Sequence, residues 1–390
     1  MIGDTLIFMS GIRTAAMVLS LVAAGCATAP PNPAGAAAPQ LKVETVASGL
    51  EHAWDVGFLP DGSSLISQRP GKFALVSGGQ TREVQADLTS VRAEGEGGLM
   101  GLLVHPDFAN NRTFITCQTH QEGGNPVDIR LVKWHLAEDG SRADRVGDLL
   151  TGLPINSSGR HSGCRPELGA DGSLLVSTGD TAQAPLAQDR TSLGGKVLRM
   201  NLDTGAAMPD NPFADSPDPH ERLVHTYGHR NPQGVALHPD GRVFVAEHGP
   251  DVDDEVNVLR PGGNYGWDPS RGGTTDEYDE SVPMTDLQRF PDAVGAAWSS
   301  GSSTEAVCAA EFLTGPQWGE LDGALVVPAL KGSKLLVFRP HPDGTLSPPE
   351  IPAELDDTHG RLRAARQAPD GSLYVTTSNG TNDELLRITL

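Results

Sequence analysis

One short phrase recurs along this chain and limits what it can fold into: a Pro-Asp-Gly turn, or a close variant, followed directly by an apolar run. It stands at Leu59-Pro60-Asp61-Gly62-Ser63-Ser64-Leu65-Ile66, at His105-Pro106-Asp107-Phe108 and at Ala170-Asp171-Gly172-Ser173-Leu174-Leu175-Val176. It returns at His238-Pro239-Asp240-Gly241-Arg242-Val243-Phe244-Val245, at Pro342-Asp343-Gly344 and at Pro369-Asp370-Gly371-Ser372-Leu373-Tyr374-Val375. Proline presets the first turn dihedral, the aspartate side chain bonds the backbone two residues on, and glycine accepts a positive φ. Each copy therefore reads as a β-hairpin, and six copies suggest radially repeated sheets. The expected fold is all-β, a six-bladed β-propeller of four-stranded antiparallel blades. Periodicity alone leaves a pair of β-sandwiches as the alternative, because the spacings are uneven. No long stretch shows the 3.6-residue apolar period of a helix.

The 46 glycines and 30 prolines among 390 residues fit many short strands joined by tight turns. The net charge is −21 with no basic cluster, a surface that repels phosphate backbones, so no nucleic-acid partner is expected. Residues 1–25 carry an apolar stretch from Ala15 to Ala24 behind Arg13, then Gly25-Cys26. This is similar to a secretory signal peptide with a lipobox, Ala23-Ala24-Gly25-Cys26, with Cys26 as the lipidation site; an ordinary signal peptide is the alternative. The run is too short for a comfortable membrane span. Asp4, Ile7 and Phe8 precede the single arginine, so Met9 is an alternative start. Residues 26–44 read as an Ala/Pro-rich tether and residues 45–390 as the propeller domain. The expected location is extracytoplasmic, in the cell envelope or periplasm, with the membrane as a partner through a lipid anchor.

Cys117, Cys164 and Cys308 remain. An oxidising compartment predicts one disulfide and one free thiol among three possible pairings. Cys164 and Cys308 both sit in Gly/Ser-rich strand-and-turn contexts, which favours that pair; three buried reduced thiols are the other possibility.

Four polar clusters are poorly explained as turn or core. They are Ser158 to Arg165 around His161, Tyr227 to Gly234 around Arg230 and Asn231, Glu247-His248-Gly249-Pro250 running on to Trp267, and Lys331 with Arg361 and Arg363. A propeller brings such distant loops to one central funnel. An imidazole beside several cations and open carbonyls suits a planar polyanion with a base next to it.

Several segments carry a family resemblance. Gly95-Glu96-Gly97-Gly98-Leu99-Met100-Gly101 with His105-Pro106-Asp107-Phe108, Tyr227 to Gly234, Glu247 to Pro250 and Asn264-Tyr265-Gly266-Trp267 are similar to the glucose/sorbosone dehydrogenase family. Ser192 to Arg199 and Asp210-Asn211-Pro212-Phe213 match as well. The resemblance runs from about residue 45 to the C-terminus. It implies a soluble pyrroloquinoline quinone (PQQ)-dependent aldose sugar dehydrogenase on a six-bladed propeller, with PQQ and Ca²⁺ as cofactors. An aldose would be the substrate, oxidised to a lactone, with the electron acceptor unspecified.

Carried over, His161 is the general base and Arg230 faces the reactive quinone carbonyl. Glu96, Asn231, Thr304, Lys331, Arg361 and Arg363 fall at cofactor-contacting positions. Gly249 and Pro250 offer carbonyls to the Ca²⁺ that chelates PQQ, while Glu255 and the Tyr265 carbonyl resemble a second, structural Ca²⁺ site. Glu96 departs from the family's glutamine, and a carboxylate near a trianionic cofactor would be costly unless a cation offsets it. The segment from Trp298 to Cys308 also departs, which leaves the correspondence at Thr304 loose. The competing expectation is a non-catalytic ligand- or protein-binding propeller.

Overall fold

The computed structural model describes residues 40–390, so the stretch read as a leader with a lipobox, Cys26 and most of the stretch read as a tether lie outside the described residues. From Lys42 onward the chain forms six small antiparallel sheets. Blade 1 comprises Ala53–Phe58, Ser64–Gln68, Lys72–Ser77 and Gln80–Val84. Blade 2 comprises Leu99–Val104, Thr113–Glu122, Asn125–Leu136 and Ala143–Leu153. Blade 3 comprises Arg165–Leu168, Ser173–Thr178, Lys196–Asn201 and Val224–Tyr227. Blade 4 comprises Pro232–Leu237, Val243–Glu247, Glu255–Val258 and Trp298–Ser299.

Blade 5 departs from the four-stranded expectation. It has three strands, Glu311–Phe312, Leu325–Ala329 and Lys334–Phe338, and a single bridge between Val337 and Glu350 takes the fourth place. Blade 6 takes Leu362–Gln367, Leu373–Thr377 and Asp383–Thr389 from the end of the chain and its outer strand, Lys42–Leu50, from the beginning. That outer strand starts three residues inside the stretch read as tether.

The Asp turns recur at equivalent places. Asp61, Asp171, Asp240 and Asp370 each accept a hydrogen bond from the backbone two residues on, in the hairpin joining the inner strand of a blade to the next. The copy at Asp343 instead follows the third strand of blade 5. In that blade the inner hairpin is replaced by a 3₁₀ segment, Pro316–Leu321.

Apolar residues on the two faces of each sheet have one place to go in such a ring: the junctions between blades. Six buried clusters fill those junctions one by one. Examples are Phe73, Phe114 and Trp134 between blades 1 and 2, and Phe244, Phe312 and Phe338 between blades 4 and 5. Cys117 and Cys164 join within the junction of blades 2 and 3, with Cα atoms 6.1 Å apart. This corrects the expected Cys164–Cys308 pair. Cys308 is a free, buried thiol on the far side of the ring axis, where its Sγ donates to backbone carbonyls including Arg363 O at 3.0 Å. Neighbouring blades bring their second and inner strands together, and that proximity outweighs the similarity of local sequence context.

The axis is plugged by charge. Arg165, fully buried on the inner strand of blade 3, pairs with Asp55 of blade 1 at 2.6 Å and donates to Gln233 O of blade 4 at 2.6 Å and Cys308 O of blade 5 at 3.2 Å. Arg366 of blade 6 reaches Asp55 at 3.4 Å and also binds Glu167. Paired, hydrogen-bonded charge of this kind survives burial where an isolated charge would not. Below the plug a cavity of about 790 Å³ opens among the far ends of the inner strands, lined by Glu167, Glu311 and Arg366. Above it, the near ends of the same strands carry the polar clusters.

Candidate active site

His161 sits in the loop entering blade 3, with a left-handed backbone at φ 50°. A non-glycine residue there costs roughly 1–2 kcal/mol, so the surroundings must enforce it. They do so tightly: a Cβ on Gly179 would lie 1.9 Å from the His161 carbonyl oxygen, which explains glycine at that position. The imidazole is buried at 3% exposure, and its Nδ1 lies 2.7 Å from Asp180 Oδ1. Asp180 is fully buried and its other oxygen accepts from Trp267 Nε1 at 2.8 Å and from the Tyr278 hydroxyl at 2.6 Å. Burial by itself would push the Asp180 carboxyl up, but His161 and the Tyr278 hydroxyl outweigh it and hold the carboxyl below its ordinary value. With Nδ1 engaged, Nε2 is the ring nitrogen left to exchange a proton, an arrangement that generalises the base-and-orienter logic of hydrolytic triads.

Glu96 is where the resemblance left a difficulty, and its neighbours remove it. One carboxylate oxygen accepts from His161 N at 3.1 Å. The other accepts from Asn231 Nδ2 at 2.8 Å and Gln233 Nε2 at 2.9 Å. Burial favours the neutral acid, yet His161, His248 and these hydrogen bonds hold the carboxyl below its usual range. Asn231 in turn accepts from Gly163 N at 3.1 Å, so one amide fixes both Glu96 and the loop carrying His161.

Arg230 is 5% exposed and lies 5.7 Å over the Trp267 ring. Nη1 donates to His248 O at 3.1 Å and Nη2 to Glu280 at 2.5 Å, while Nε is buried with no partner among the described residues. The Nε atoms of Arg363 and Arg69 and Nε2 of His248 are unpartnered in the same way. Buried donors seldom go unsatisfied, so several around one axis mark a place built for an acceptor-rich ligand. Burial lowers the Arg363 guanidinium to about 10, which still leaves it charged at neutral pH. Lys331 and Arg361 stand exposed at the rim, and Arg361 Nε donates to Ser378 O at 3.2 Å.

On the opposite side, fully buried Asp254 gathers two loops. It accepts from Gly249 N at 2.9 Å, Thr304 Oγ1 at 2.9 Å, Glu305 N at 2.5 Å and Ala306 N at 2.6 Å. The Thr304 hydroxyl is thus engaged with protein. The Gly249 and Pro250 carbonyls accept no hydrogen bond among the described residues. Deeper in blade 4, Glu255 accepts from Thr285 Oγ1 at 3.1 Å and Asn257 Nδ2 at 3.2 Å, and Asn257 Oδ1 has no donor among the described residues. Burial, with Glu247 close by, pushes the Glu255 carboxyl up to about 8. Tyr265 stacks on His229 at 4.4 Å between ring centroids.

The structure therefore brings His161, Arg230, Glu96, Asn231 and Arg363 to one funnel, with Lys331, Arg361, Thr304, Gly249 and Pro250 around its rim. Glu255 and Tyr265 lie beside it in blade 4. The sequence reading missed Asp180, Tyr278, Glu280 and Arg69. His248, Gln233, Asp254 and Trp267 lay inside quoted motifs without a role.

The sequence profile described as Glucose / Sorbosone dehydrogenase matches residues 50–387. The chain belongs to this family. Among relatives, it is 29% identical to aldose sugar dehydrogenase YliI of Escherichia coli, over 90% of this chain and 94% of that one. The crystal structure of an oxidoreductase (glucose dehydrogenase) from Thermus thermophilus superposes with a TM-score of 0.76 at 34% identity, covering 89% of this chain and 99% of that one. The PQQ-bound form of an aldose sugar dehydrogenase from Streptomyces coelicolor does so with a TM-score of 0.72 at 28% identity, covering 90% and 98%. The family match runs through all six blades.

Proposed function

We propose that this protein is a PQQ- and Ca²⁺-dependent aldose dehydrogenase of the cell envelope, oxidising the anomeric carbon of an aldose to a lactone. The observation that carries this is the pairing of His161 with Asp180 beside unpartnered guanidinium and imidazole nitrogens of Arg69, Arg230, Arg363 and His248. These donors fit a planar ligand with several carboxylates. PQQ, when bound, supplies a quinone that accepts hydride.

The chain's own groups do the rest. His161 Nε2 takes the proton of the anomeric hydroxyl, and Asp180 stabilises the imidazolium that results. Arg230, fixed through Nη1 and Nη2, would offer its unpartnered Nε to developing negative charge. Arg69, Lys331, Arg361 and Arg363 would hold the carboxylates of PQQ. The Gly249 and Pro250 carbonyls are suited to Ca²⁺, a hard ion that takes oxygen ligands. Glu255 with Asn257 Oδ1 and the Tyr265 carbonyl would hold a second ion, whose charge would relieve the crowding of Glu247 and Glu255. Residues 1–25 and Cys26 would export and anchor the domain.

Reconstitution tests the reading. Apo-protein given PQQ and Ca²⁺ should reduce an artificial dye with an aldose, and His161→Ala should abolish turnover while retaining PQQ. Failure to bind PQQ at micromolar concentration, or no turnover across a broad sugar panel, rejects it.

A further inference from the structure

The loop spanning residues 268–292 crosses the mouth of the funnel and is pinned at both ends: Arg289 pairs with Asp268 at 2.8 Å, and Thr285 binds Glu255 at 3.1 Å. In its middle, Tyr278 reaches Asp180 at 2.6 Å and comes within 3.2 Å of His161 Nδ1. Two residues later Glu280 delivers a carboxylate whose Oε1 takes both Arg230 Nη2, at 2.5 Å, and Arg160 Nη2, at 2.9 Å. Oε2 makes no hydrogen bond to protein among the described residues.

The charge balance at the mouth follows from these contacts. Arg160 and Arg230 flank the base, and two guanidiniums alone would recruit an anion. Glu280 compensates one of the two charges through a single oxygen. Burial opposes its ionisation, but the hydrogen bond and charge of Arg230, with Arg160, hold the carboxyl below its ordinary value. The Arg160 side chain is 47% exposed and that of Glu280 37%, so both face incoming solute.

We propose that Glu280 is a specificity-determining residue: its carboxylate offsets guanidinium charge at the mouth that would otherwise recruit an anion, so that neutral aldoses are favoured over sugars bearing a carboxylate or phosphate. The proposal rests on the aldose-dehydrogenase reading and names the substrate class within it. An ionised carboxylate accepts strongly from sugar hydroxyls and repels a second anion, so attraction and exclusion come from one group. The contact through Nη2 leaves Arg230 Nε without a protein partner among the described residues.

The test compares wild type, Glu280→Gln and Glu280→Asp as full-length protein. Glutamine keeps size and removes charge; aspartate keeps charge. Melting midpoint and PQQ affinity establish that each variant is folded with its site built. kcat/KM is then measured for glucose against glucuronate and for galactose against galacturonate. Glu280→Gln should raise the uronate-to-neutral ratio at least tenfold, mainly through the KM of the uronate, and Glu280→Asp should stay within about threefold of wild type. An unchanged ratio in Glu280→Gln, or a wild type that already oxidises uronates as well as neutral sugars, overturns the proposal. A protein that binds no PQQ and oxidises no sugar defeats the dehydrogenase reading instead. The charge role is then read by calorimetric titration with glucuronate: tighter binding to Glu280→Gln than to wild type supports it, and equal binding overturns it.

Discussion

His161 Nδ1 and Asp180 Oδ1 lie 2.7 Å apart, and both side chains are sealed from solvent. The carboxylate comes from the turn after the second strand of blade 3 and the imidazole from the loop before its first, so a single blade assembles the pair. Asp180→Asn would keep the shape but place an amide against Nδ1, removing the charge that supports the imidazolium. The expected outcome is a fall in kcat of about 10²–10⁴-fold, the range associated with general-base assistance, with sugar KM little changed. Steady-state kinetics on the reconstituted enzyme check this; a loss confined to KM would assign Asp180 to binding.

Asp254 gives a second expectation. It ties Gly249 to Thr304, Glu305 and Ala306 through one carboxylate, so Asp254→Ala strands several buried donors. Affinity for Ca²⁺ should fall tenfold or more in the presence of PQQ, and raised Ca²⁺ should restore part of the activity. A Ca²⁺ titration followed by turnover and by PQQ absorbance reads both. Activity lost with unaltered Ca²⁺ dependence contradicts the role.

The disulfide sets a third. Cys117 and Cys164 close a loop with a sequence separation of 47 residues, which in the chain-entropy view constrains the unfolded state by ~4 kcal/mol. Cys164→Ser should lower the melting midpoint by several degrees, and reductant should do the same to wild type but not to the variant. Peptide mapping without reduction should find Cys117 linked to Cys164 and Cys308 as a thiol. A 164–308 linkage would contradict the structure.

Glu311, in the cavity at the far end of the axis, gives a pH expectation. Burial pushes its carboxyl up to about 8, Arg366 opposing and Glu167 adding to the rise. A carboxyl raised in the folded state binds its proton there when the unfolded chain, near 4.5, has already lost it. Its contribution to stability is therefore present at low pH and lost as pH climbs through the window from about 4.5 to 8. Glu311→Gln should flatten the fall in melting midpoint across that window and raise the midpoint most at pH 8. A parallel offset at every pH would show that the carboxyl does not titrate there.

Much of the architecture was legible because hairpin chemistry is local. Asp61, Asp171, Asp240 and Asp370 bond within their own turns, so four residues of sequence carry the whole signal. Blade 5 broke the pattern where a 3₁₀ segment replaced the inner hairpin, and a two-residue strand such as Glu311–Phe312 has too little length to show alternation. In the funnel, His161, Arg230 and Asn231 came forward through motifs that keep unusual residues adjacent in sequence. Asp180, Tyr278 and Glu280 did not, because they meet their partners only across loops: Tyr278 is 98 residues from Asp180 and Glu280 is 50 from Arg230. The same holds for the disulfide, where junctions between blades, invisible to local context, chose Cys117.

The pairing of Lys42–Leu50 with Asp383–Thr389 has a consequence for the order of events during synthesis. Strands from the two ends of the described chain form one seam, so the ring stays open until Asp383–Thr389 exists. Earlier blades can form hairpins as they emerge, but the long loop between the seam's halves is closed last, at the largest entropic cost. A chain stopped just short of Asp383 would carry an unpaired edge at each end, and with it a tendency to join a neighbour's edge rather than its own.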